Sequence, residues 1–182
     1  LIDIKAGIRY LRAHSERFRI DPEHFGVMGE SAGGYLTAMA ALANDPAFDV
    51  GGYTDYSSRV QAACPWYPPT DVSGFPYNSP VEAAASPESL MLGMNVLLQK
   101  EEALKACPVS FVTKDAPPFM ILHGIDDHTV PFGQGEVLHD KLEEAGCDVR
   151  LIAIAGADHA DKQFFQRETW KWIADFFHEK LG

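Results

Sequence analysis

The chain has few cysteines, and those it has lie far apart. Cys64, Cys107 and Cys147 are odd in number, and no pair has the Cys-x-x-Cys spacing of zinc and redox sites. A disulfide framework needs an even set of cysteines, and a structural zinc site needs closely spaced ligands. We therefore expect neither, and each cysteine is predicted to be a small buried hydrophobic residue.

The chain is also short of basic residues. It has 15 lysines and arginines against 26 aspartates and glutamates, so its formal net charge is −11. A nucleic-acid partner requires a basic patch that replaces the counterions of the phosphates, and the sequence contains no such patch. We therefore expect no nucleic-acid partner.

Long apolar runs are missing as well. None approaches the length that a membrane-spanning helix needs, so no membrane span is predicted. The first residue is Leu1 rather than Met, and no signal-peptide pattern follows it. The compartment stays open on these grounds, because cytoplasmic and secreted locations are both compatible with the sequence.

The 182 residues do contain a regular alternation of apolar strands and amphipathic helices. The pattern predicts helices over 2–18, 32–43, 90–106, 132–145 and 161–180, and strands over 25–30, 60–66, 119–123 and 149–154. Elements that alternate in this way form a mostly parallel sheet with helices on both faces. We predict a single α/β domain over 1–182, with its functional site at the carboxyl ends of the strands.

One segment departs from this alternation. Residues 67–89 contain Pro68, Pro69, Pro76, Pro80 and Pro87, with aromatic residues between them. A long proline-rich loop inside a compact domain is often a lid or a binding loop, and we predict that role here. The alternative is a surface excursion whose aromatic side chains simply pack down.

A predicted strand-to-helix turn carries the most informative motif, Gly29-Glu30-Ser31-Ala32-Gly33. An apolar strand precedes it and an alanine-rich helix follows it, which is the context in which a Gly-x-Ser-x-Gly turn lifts a serine hydroxyl above a sheet. We predict that a Cβ at Gly29 or Gly33 would clash in so sharp a turn. The alternative is a glycine-rich turn with a bystander serine.

Two later loops supply groups that could activate this serine. A serine hydroxyl needs a base to take its proton and an acid to orient that base. Asp126 and Asp127 follow one predicted strand, and His159 follows the next. Parallel strands end at the same edge of a sheet, so these groups can converge on Ser31. Taken singly, each has an ordinary alternative, such as a helix-capping acid or a surface histidine.

The same two loops also permit a metal-site hypothesis. Its ligands would come from His123, Asp126, Asp127, His128, Asp158 and His159. Their spacing matches no recognised metal motif, so no metal is predicted. His123, at the end of a strand, is predicted to be a structural histidine with a satisfied ring nitrogen.

Together these motifs resemble the esterase/lipase group of α/β-hydrolases, in particular the branch of carboxylesterases and bifunctional feruloyl and acetylxylan esterases. The resemblance rests on residues 20–34, on 117–124 followed by Asp127 and Val130-Pro131, and on 156–159. In the family pattern the acid is the third residue after the His-Gly pair, which selects Asp127 over Asp126. The resemblance implies an α/β-hydrolase fold, a Ser31–His159–Asp127 triad, the backbone N–H of Ala32 as an oxyanion donor, and no cofactor.

The family pattern also contains a segment that this sequence lacks. Family members carry the first strands of the sheet and a His-Gly-Gly oxyanion loop ahead of the position that matches Leu1. We therefore expect an N-terminally incomplete catalytic domain with impaired activity, either a fragment or a natural truncation. The missing strands would expose a sheet edge, so a homo-oligomer formed through that edge is expected.

The predicted function is hydrolysis of small or short-chain carboxylic esters, with a small-molecule ester as the partner. Glu30, Tyr35, Trp66 and Tyr67 are candidates for the substrate-binding wall, with core or structural packing as the alternative for each. Two other functions stay open. One is a binding or assembly module with an incomplete oxyanion hole, and the other is a serine peptidase of the prolyl-oligopeptidase type.

Overall fold

A parallel four-stranded sheet forms the centre of the computed structural model, which describes all 182 residues. The strands lie side by side in chain order and are β1 Gly26–Glu30, β2 Ala62–Trp66, β3 Phe119–Gly124 and β4 Val149–Ile154. All neighbours are parallel, and the register places Glu30 opposite Trp66 and Trp66 opposite Leu122. The carboxyl ends of the strands therefore meet at one edge, as the alternation of elements predicts.

Helices pack on both faces of this sheet, which confirms the predicted fold class. They are α1 Ile2–Ala13, α2 Ser15–Phe18, α3 Ala32–Leu42, α4 Pro80–Ala84, α5 Pro87–Leu92, α6 Lys100–Leu104, α7 Gly133–Glu144 and α8 Arg167–Leu181. Short 3₁₀ turns occupy Pro46–Phe48, Val72–Gly74, Pro108–Phe111 and Lys162–Phe165. No helix in the chain is both long and apolar enough to cross a membrane.

The two sheet faces have separate cores, because successive residues of a strand point to opposite sides. On one face, Phe119 and Ile121 of β3 pack with buried side chains of α3 and α7. On the other face, Met120 and Leu122 pack with buried side chains of α8 such as Phe176. These cores fix the sheet, and through it the positions of the loops at its carboxyl edge.

The proline-rich segment is not the simple loop that the sequence predicts. It contains the 3₁₀ turn Val72–Gly74, then α4, then the start of α5. A third, small hydrophobic cluster of Val72, Val96, Ala103 and Cys107 holds it together. Each short helix begins at a serine, Ser79 or Ser86, whose hydroxyl accepts a backbone N–H of the first turn and thus caps the helix.

Several predicted helices were too long. The helix expected over 90–106 is wrong, because Gly93 has φ +66° and ends α5, and α6 begins only at Lys100. The helix over 2–18 breaks at His14 into α1 and α2. The helix over 161–180 starts as a 3₁₀ turn and becomes α8 at Arg167. The strand over 60–66 begins only at Ala62.

Candidate active site

Ser31 occupies a strained turn between β1 and α3. Its backbone has φ +53° and ψ −118°, a region that residues other than glycine rarely adopt and that costs about 1–3 kcal/mol. Two hydrogen bonds hold the turn. The Ser31 N–H donates to the Trp66 carbonyl at 3.0 Å, and the Tyr35 N–H donates to the Ser31 carbonyl at 2.9 Å.

Glycine is required at two positions around this turn. A Cβ at Gly29 would lie 2.6 Å from the Gly33 carbonyl oxygen, and one at Gly34 would lie 2.5 Å from the Trp66 carbonyl oxygen. A Cβ at Gly33 would meet nothing within 4 Å, so the predicted clash at Gly33 is wrong. The sequence reasoning missed Gly34, where the start of α3 passes close to the end of β2.

A hydrogen-bonded series runs from Ser31 to a buried acid. The His159 Nε2 lies 2.8 Å from the Ser31 Oγ, and the His159 Nδ1 lies 2.8 Å from Asp127 Oδ2. The other carboxylate oxygen of Asp127 accepts the backbone N–H groups of Thr129 at 2.9 Å and Val130 at 2.7 Å. The side chain of Asp126 is exposed and makes no hydrogen bond to His159.

The surroundings of Asp127 favour its charged form. Its side chain is inaccessible to solvent, and this burial alone would raise its pKa. The hydrogen bonds from His159, Val130 and Thr129 outweigh the burial, so the pKa of Asp127 is lowered from its ordinary value. Asp127 therefore stays negatively charged, and in this form it is suited to orient His159.

The acid loop and the histidine loop are fastened to each other. The N–H groups of Ile125 and Asp126 donate to the carbonyls of Ile154 and Ala157. A Cβ at Gly124 would overlap the Ala157 carbonyl, so this close approach requires glycine. The contact sets the distance between the two loops.

His123 supports the acid loop from beneath. Its Nε2 lies 2.9 Å from the Val130 carbonyl, and burial lowers the pKa of its imidazole, so the ring is neutral and Nε2–H donates. Its Nδ1 is buried without a partner, so only one of its two ring nitrogens is satisfied. The six residues of the metal hypothesis do not form one ligand set, since His128 and Asp158 pair with each other at the exposed surface.

A cavity of about 310 Å³ opens beside Ser31 and Ala32. The proline-rich segment forms much of its wall, including the apolar Val72 and Phe75, and Met91 of α5 adds another apolar side chain. Of the four residues proposed for the wall, Tyr35 lines the cavity, with its hydroxyl bonded to the Ala106 carbonyl. The other lining residues were missed individually, although the proline-rich composition marked the segment that carries them.

Glu30, Trp66 and Tyr67 do not line this cavity, which corrects the prediction for these three. Trp66 and Tyr67 are buried in the core on the α8 side of the sheet. The Tyr67 hydroxyl donates to Glu30 Oε2 at 2.5 Å, and the Tyr67 ring meets the His159 ring edge-on with centroids 4.6 Å apart. Tyr67 therefore packs against His159 with Glu30 bonded to it, and Trp66 packs instead against aromatic side chains such as Phe164 and Trp170.

A sequence model of the BD-FAE family matches residues 1–142, most of the chain. This chain belongs to the BD-FAE family. The family consists of α/β-hydrolase esterases, and both the fold class and the resemblance drawn from the motifs are thereby confirmed.

Individual relatives of this chain have ester-hydrolase names. The "Probable carboxylic ester hydrolase LipM" of Mycobacterium tuberculosis is 34% identical over 151 residues, covering 79% of this chain and 33% of the relative. "Esterase LipQ" of the same organism is 31% identical over 169 residues, covering 88% of this chain and 38% of the relative. The chain thus spans little more than a third of the length of these relatives.

Among solved structures, a "Truncated form of carbohydrate esterase from gut microbiota" has the same arrangement. It is 28% identical, has a TM-score of 0.89, and the match covers 98% of this chain and 67% of that one. The BD-FAE chain described here therefore shares both its sequence family and its fold with esterases.

Proposed function

We propose that this chain is a serine carboxylesterase that acts on small, short-chain carboxylic esters. The observation that carries the proposal is the hydrogen-bonded series from the Ser31 hydroxyl through His159 to the buried Asp127, beside an apolar cavity. Membership of an esterase family supports the same chemistry.

In this mechanism His159 acts as the base. Its Nδ1–H donates to Asp127, so its Nε2 is free to accept the Ser31 proton as Oγ attacks the ester carbonyl. Asp127 keeps its charge and stabilises the imidazolium that forms. The imidazolium then protonates the leaving alcohol, and water releases the acyl group from Ser31 by the reverse path.

In this mechanism, the N-terminal end of α3 stabilises the negative charge that develops on the attacked carbonyl oxygen. Ala32 is the first residue of this helix, so its backbone N–H has no carbonyl partner within the helix. The N-terminal end of a helix also carries a partial positive charge. Ala32 is therefore the oxyanion donor that we assign within this chain.

The size of the cavity favours small substrates. Its volume of about 310 Å³ lies at the lower end of the range of roughly 300–1,000 Å³ for ligand pockets. Its wall is largely apolar, which suits a short alkyl or aryl group on the ester and offers little room for a long acyl chain.

The direct test is hydrolysis of p-nitrophenyl acetate by the chain and by its Ser31→Ala variant. We expect the turnover of the variant to fall by about 10⁴-fold or more, because the nucleophile is lost. Ser15→Ala is the matched control, since Ser15 lies on α2 and makes no side-chain contact with the site. Its turnover should equal that of the unchanged chain.

Other outcomes would select another function. Ester hydrolysis that survives Ser31→Ala would exclude Ser31 as the nucleophile. Cleavage of a short peptide anilide faster than the phenyl ester would favour a serine peptidase. An unchanged chain that neither hydrolyses the ester nor reacts with a fluorophosphonate would favour a binding or assembly module.

A further inference from the structure

The cavity beside Ser31 contains one charged side chain, that of Glu88. Its neighbours in the wall are mostly apolar, among them Val72, Phe75 and Met91. Glu88 is partly exposed, so its carboxylate reaches both the cavity and water. The partners of Glu88 therefore indicate what the cavity can receive.

Protein groups satisfy only part of this carboxylate. The Tyr77 hydroxyl donates to Glu88 Oε2 at 2.8 Å. Burial and the adjacent Glu88 raise the pKa of Tyr77 to about 12, so the hydroxyl keeps its proton and remains a donor. Glu88 Oε1 has no hydrogen-bond partner in the protein, and Glu88 forms no ion pair with any lysine, arginine or histidine. An anionic acceptor is thus left free on the cavity wall.

The segment that carries Glu88 is fixed in place. Glu88 is the second residue of α5, whose first turn is capped by the Ser86 hydroxyl. The Ser89 hydroxyl accepts the Val96 N–H at 3.2 Å, and the Ser89 carbonyl accepts the Met94 N–H at 3.1 Å. These bonds tie α5 to the chain that follows it, so the acceptor is held in position before a ligand arrives.

We propose that Glu88 binds a hydrogen-bond donor, a hydroxyl or an ammonium, at the end of the apolar substrate group that occupies this cavity. The inference rests on the proposed function, because the group is part of the ester attacked by Ser31. Substrate groups that end in a carboxylate are repelled by the same charge. The cavity thus selects a short apolar group with a neutral or cationic donor at its tip.

Binding of small ligands without an ester group tests this inference separately from catalysis. Four ligands form a matched series: N,N-dimethylpentanamide, which has no hydrogen-bond donor, and its ω-hydroxy, ω-amino and ω-carboxy derivatives. Dissociation constants come from the amide chemical-shift changes of cavity residues in the unchanged chain. We expect the hydroxy and amino ligands to bind about tenfold more tightly than N,N-dimethylpentanamide, and the carboxy ligand to bind most weakly.

Two substitutions separate charge from hydrogen bonding. Glu88→Gln keeps an acceptor of nearly the same shape but removes the charge, so it should lose the preference for the amino ligand and retain part of the preference for the hydroxy ligand. Glu88→Ala should lose both preferences and favour N,N-dimethylpentanamide. Glu82→Gln is the matched control. It removes the same charge from α4, outside the cavity, and should leave the ratios of the dissociation constants unchanged.

Several results would overturn the inference. These are equal binding of all four ligands, a preference for N,N-dimethylpentanamide in the unchanged chain, and no shift at the backbone amides of the cavity with any ligand. A change by one common factor for every ligand in the Glu88 variants would also overturn it, because it indicates a purely structural role. If Ser31 does not react with esters, the proposed function is wrong. The ratios of the ligand dissociation constants do not depend on that reaction, so the binding test keeps its own outcome.

Discussion

At the scale of single residues, Tyr67 connects Glu30, the residue before Ser31, to His159. It has φ +34°, an unusual backbone conformation for a residue with a side chain, and it is fully buried. Its hydroxyl is bonded to Glu30, and its ring lies edge-on between the rings of His159 and Phe164. Neither Glu30 nor Tyr67 lines the cavity, so we interpret them as positioning residues for His159.

Removal of the Tyr67 hydroxyl should therefore lower kcat and leave KM nearly unchanged. Tyr67→Phe and Glu30→Ala each break the same hydrogen bond, so each should reduce the kcat for p-nitrophenyl acetate several-fold. The double variant should be no slower than either single one, with a coupling free energy of about 0.5–3 kcal/mol. Glu30→Gln, which can still accept the hydroxyl, should restore most of the rate.

The exposed Tyr56 provides the control for this cycle, since Tyr56→Phe removes a hydroxyl that forms no hydrogen bond to His159 or to Glu30. Losses in kcat that simply add in the double variant would show that Glu30 and Tyr67 act independently. A rise in KM with unchanged kcat would place them in substrate binding instead.

Asp127 predicts how stability depends on pH. Its pKa in the folded chain lies below the ordinary value of 3.8. A group with a lowered folded pKa contributes stability that is fully present above its unfolded pKa and is lost as the pH falls through the folded pKa. The difference in unfolding free energy between the unchanged chain and Asp127→Asn should therefore be constant near neutral pH and shrink below about pH 4.

Urea unfolding of both proteins over a pH series measures this difference. The other acidic groups titrate in both proteins and cancel in the comparison. A difference that stays constant from neutral pH to about pH 3 would mean that the Asp127 pKa is not lowered by folding.

At the scale of elements, basic side chains on one face of α1 attach this helix to the rest of the chain. Lys5, Arg9 and Arg12 recur at helical spacing and are all buried. Arg9 bonds to the Asp49 carboxylate at 2.8 Å and to the carbonyls of Val50 and Gly52. Arg9 thus connects α1 to the loop between α3 and β2. Charge-assisted hydrogen bonds, rather than apolar contacts alone, attach α1 at this interface.

Loss of these bonds should destabilise the chain without touching the site. We expect Arg9→Ala to lower the free energy of unfolding by about 2 kcal/mol, since Asp49 and two carbonyls lose a charged partner. Arg167→Ala removes an exposed arginine that forms no ion pair and should change stability by less than about 0.5 kcal/mol. Urea unfolding measures both. Equal effects of the two substitutions would contradict the assigned role of Arg9.

The same helix shows where sequence periodicity misleads. The apolar spacing of Ile4, Ile8 and Leu11 predicts the helix, and α1 exists. Yet Ile4 and Leu11 are each 39% exposed, and only Ile8 is buried in the core. Periodicity reports which residues share a face but not which face meets the protein. The buried face contains Ile8 and is turned toward Lys5, Arg9 and Arg12. The burial of the arginines could not be expected, because most of their partners are backbone carbonyls distant in sequence.

For the site as well, the sequence predicts one part and leaves another part unpredicted. The turn at Ser31 and the loops at Asp127 and His159 follow buried strands with short, specific motifs, so sequence places them at one edge of the sheet. The cavity depends instead on α4, α5 and their connections, which have no periodic pattern. Their arrangement follows from serine caps and from Gly93, so Glu88 had no sequence signal of its own.

At the scale of the whole molecule, both edge strands of the sheet, β1 and β4, are unpaired on one side, and β1 is the one that leads into Ser31. β1 pairs only with β2, so the other edge of Gly26–Glu30 has no strand beside it. Met28 on this strand is 40% exposed, whereas β2 and β3 are buried throughout. An open strand with an apolar side chain favours pairing with another chain, but the net charge of −11 opposes the approach of two copies.

We therefore propose that two copies associate through β1, and that salt strengthens the association by screening their repulsion. Sedimentation velocity should show a larger share of dimer at higher concentration and at higher ionic strength. Met28→Lys places a charge on the open strand and should shift the protein to monomer.

Val81→Lys makes the same change in charge on α4, at a side chain that is 81% exposed, and should leave the dimer in place. If both variants weaken the dimer equally, net charge controls association, and β1 is not the contact. If only Met28→Lys weakens it, the contact adjoins Ser31, which directly follows β1 in the chain.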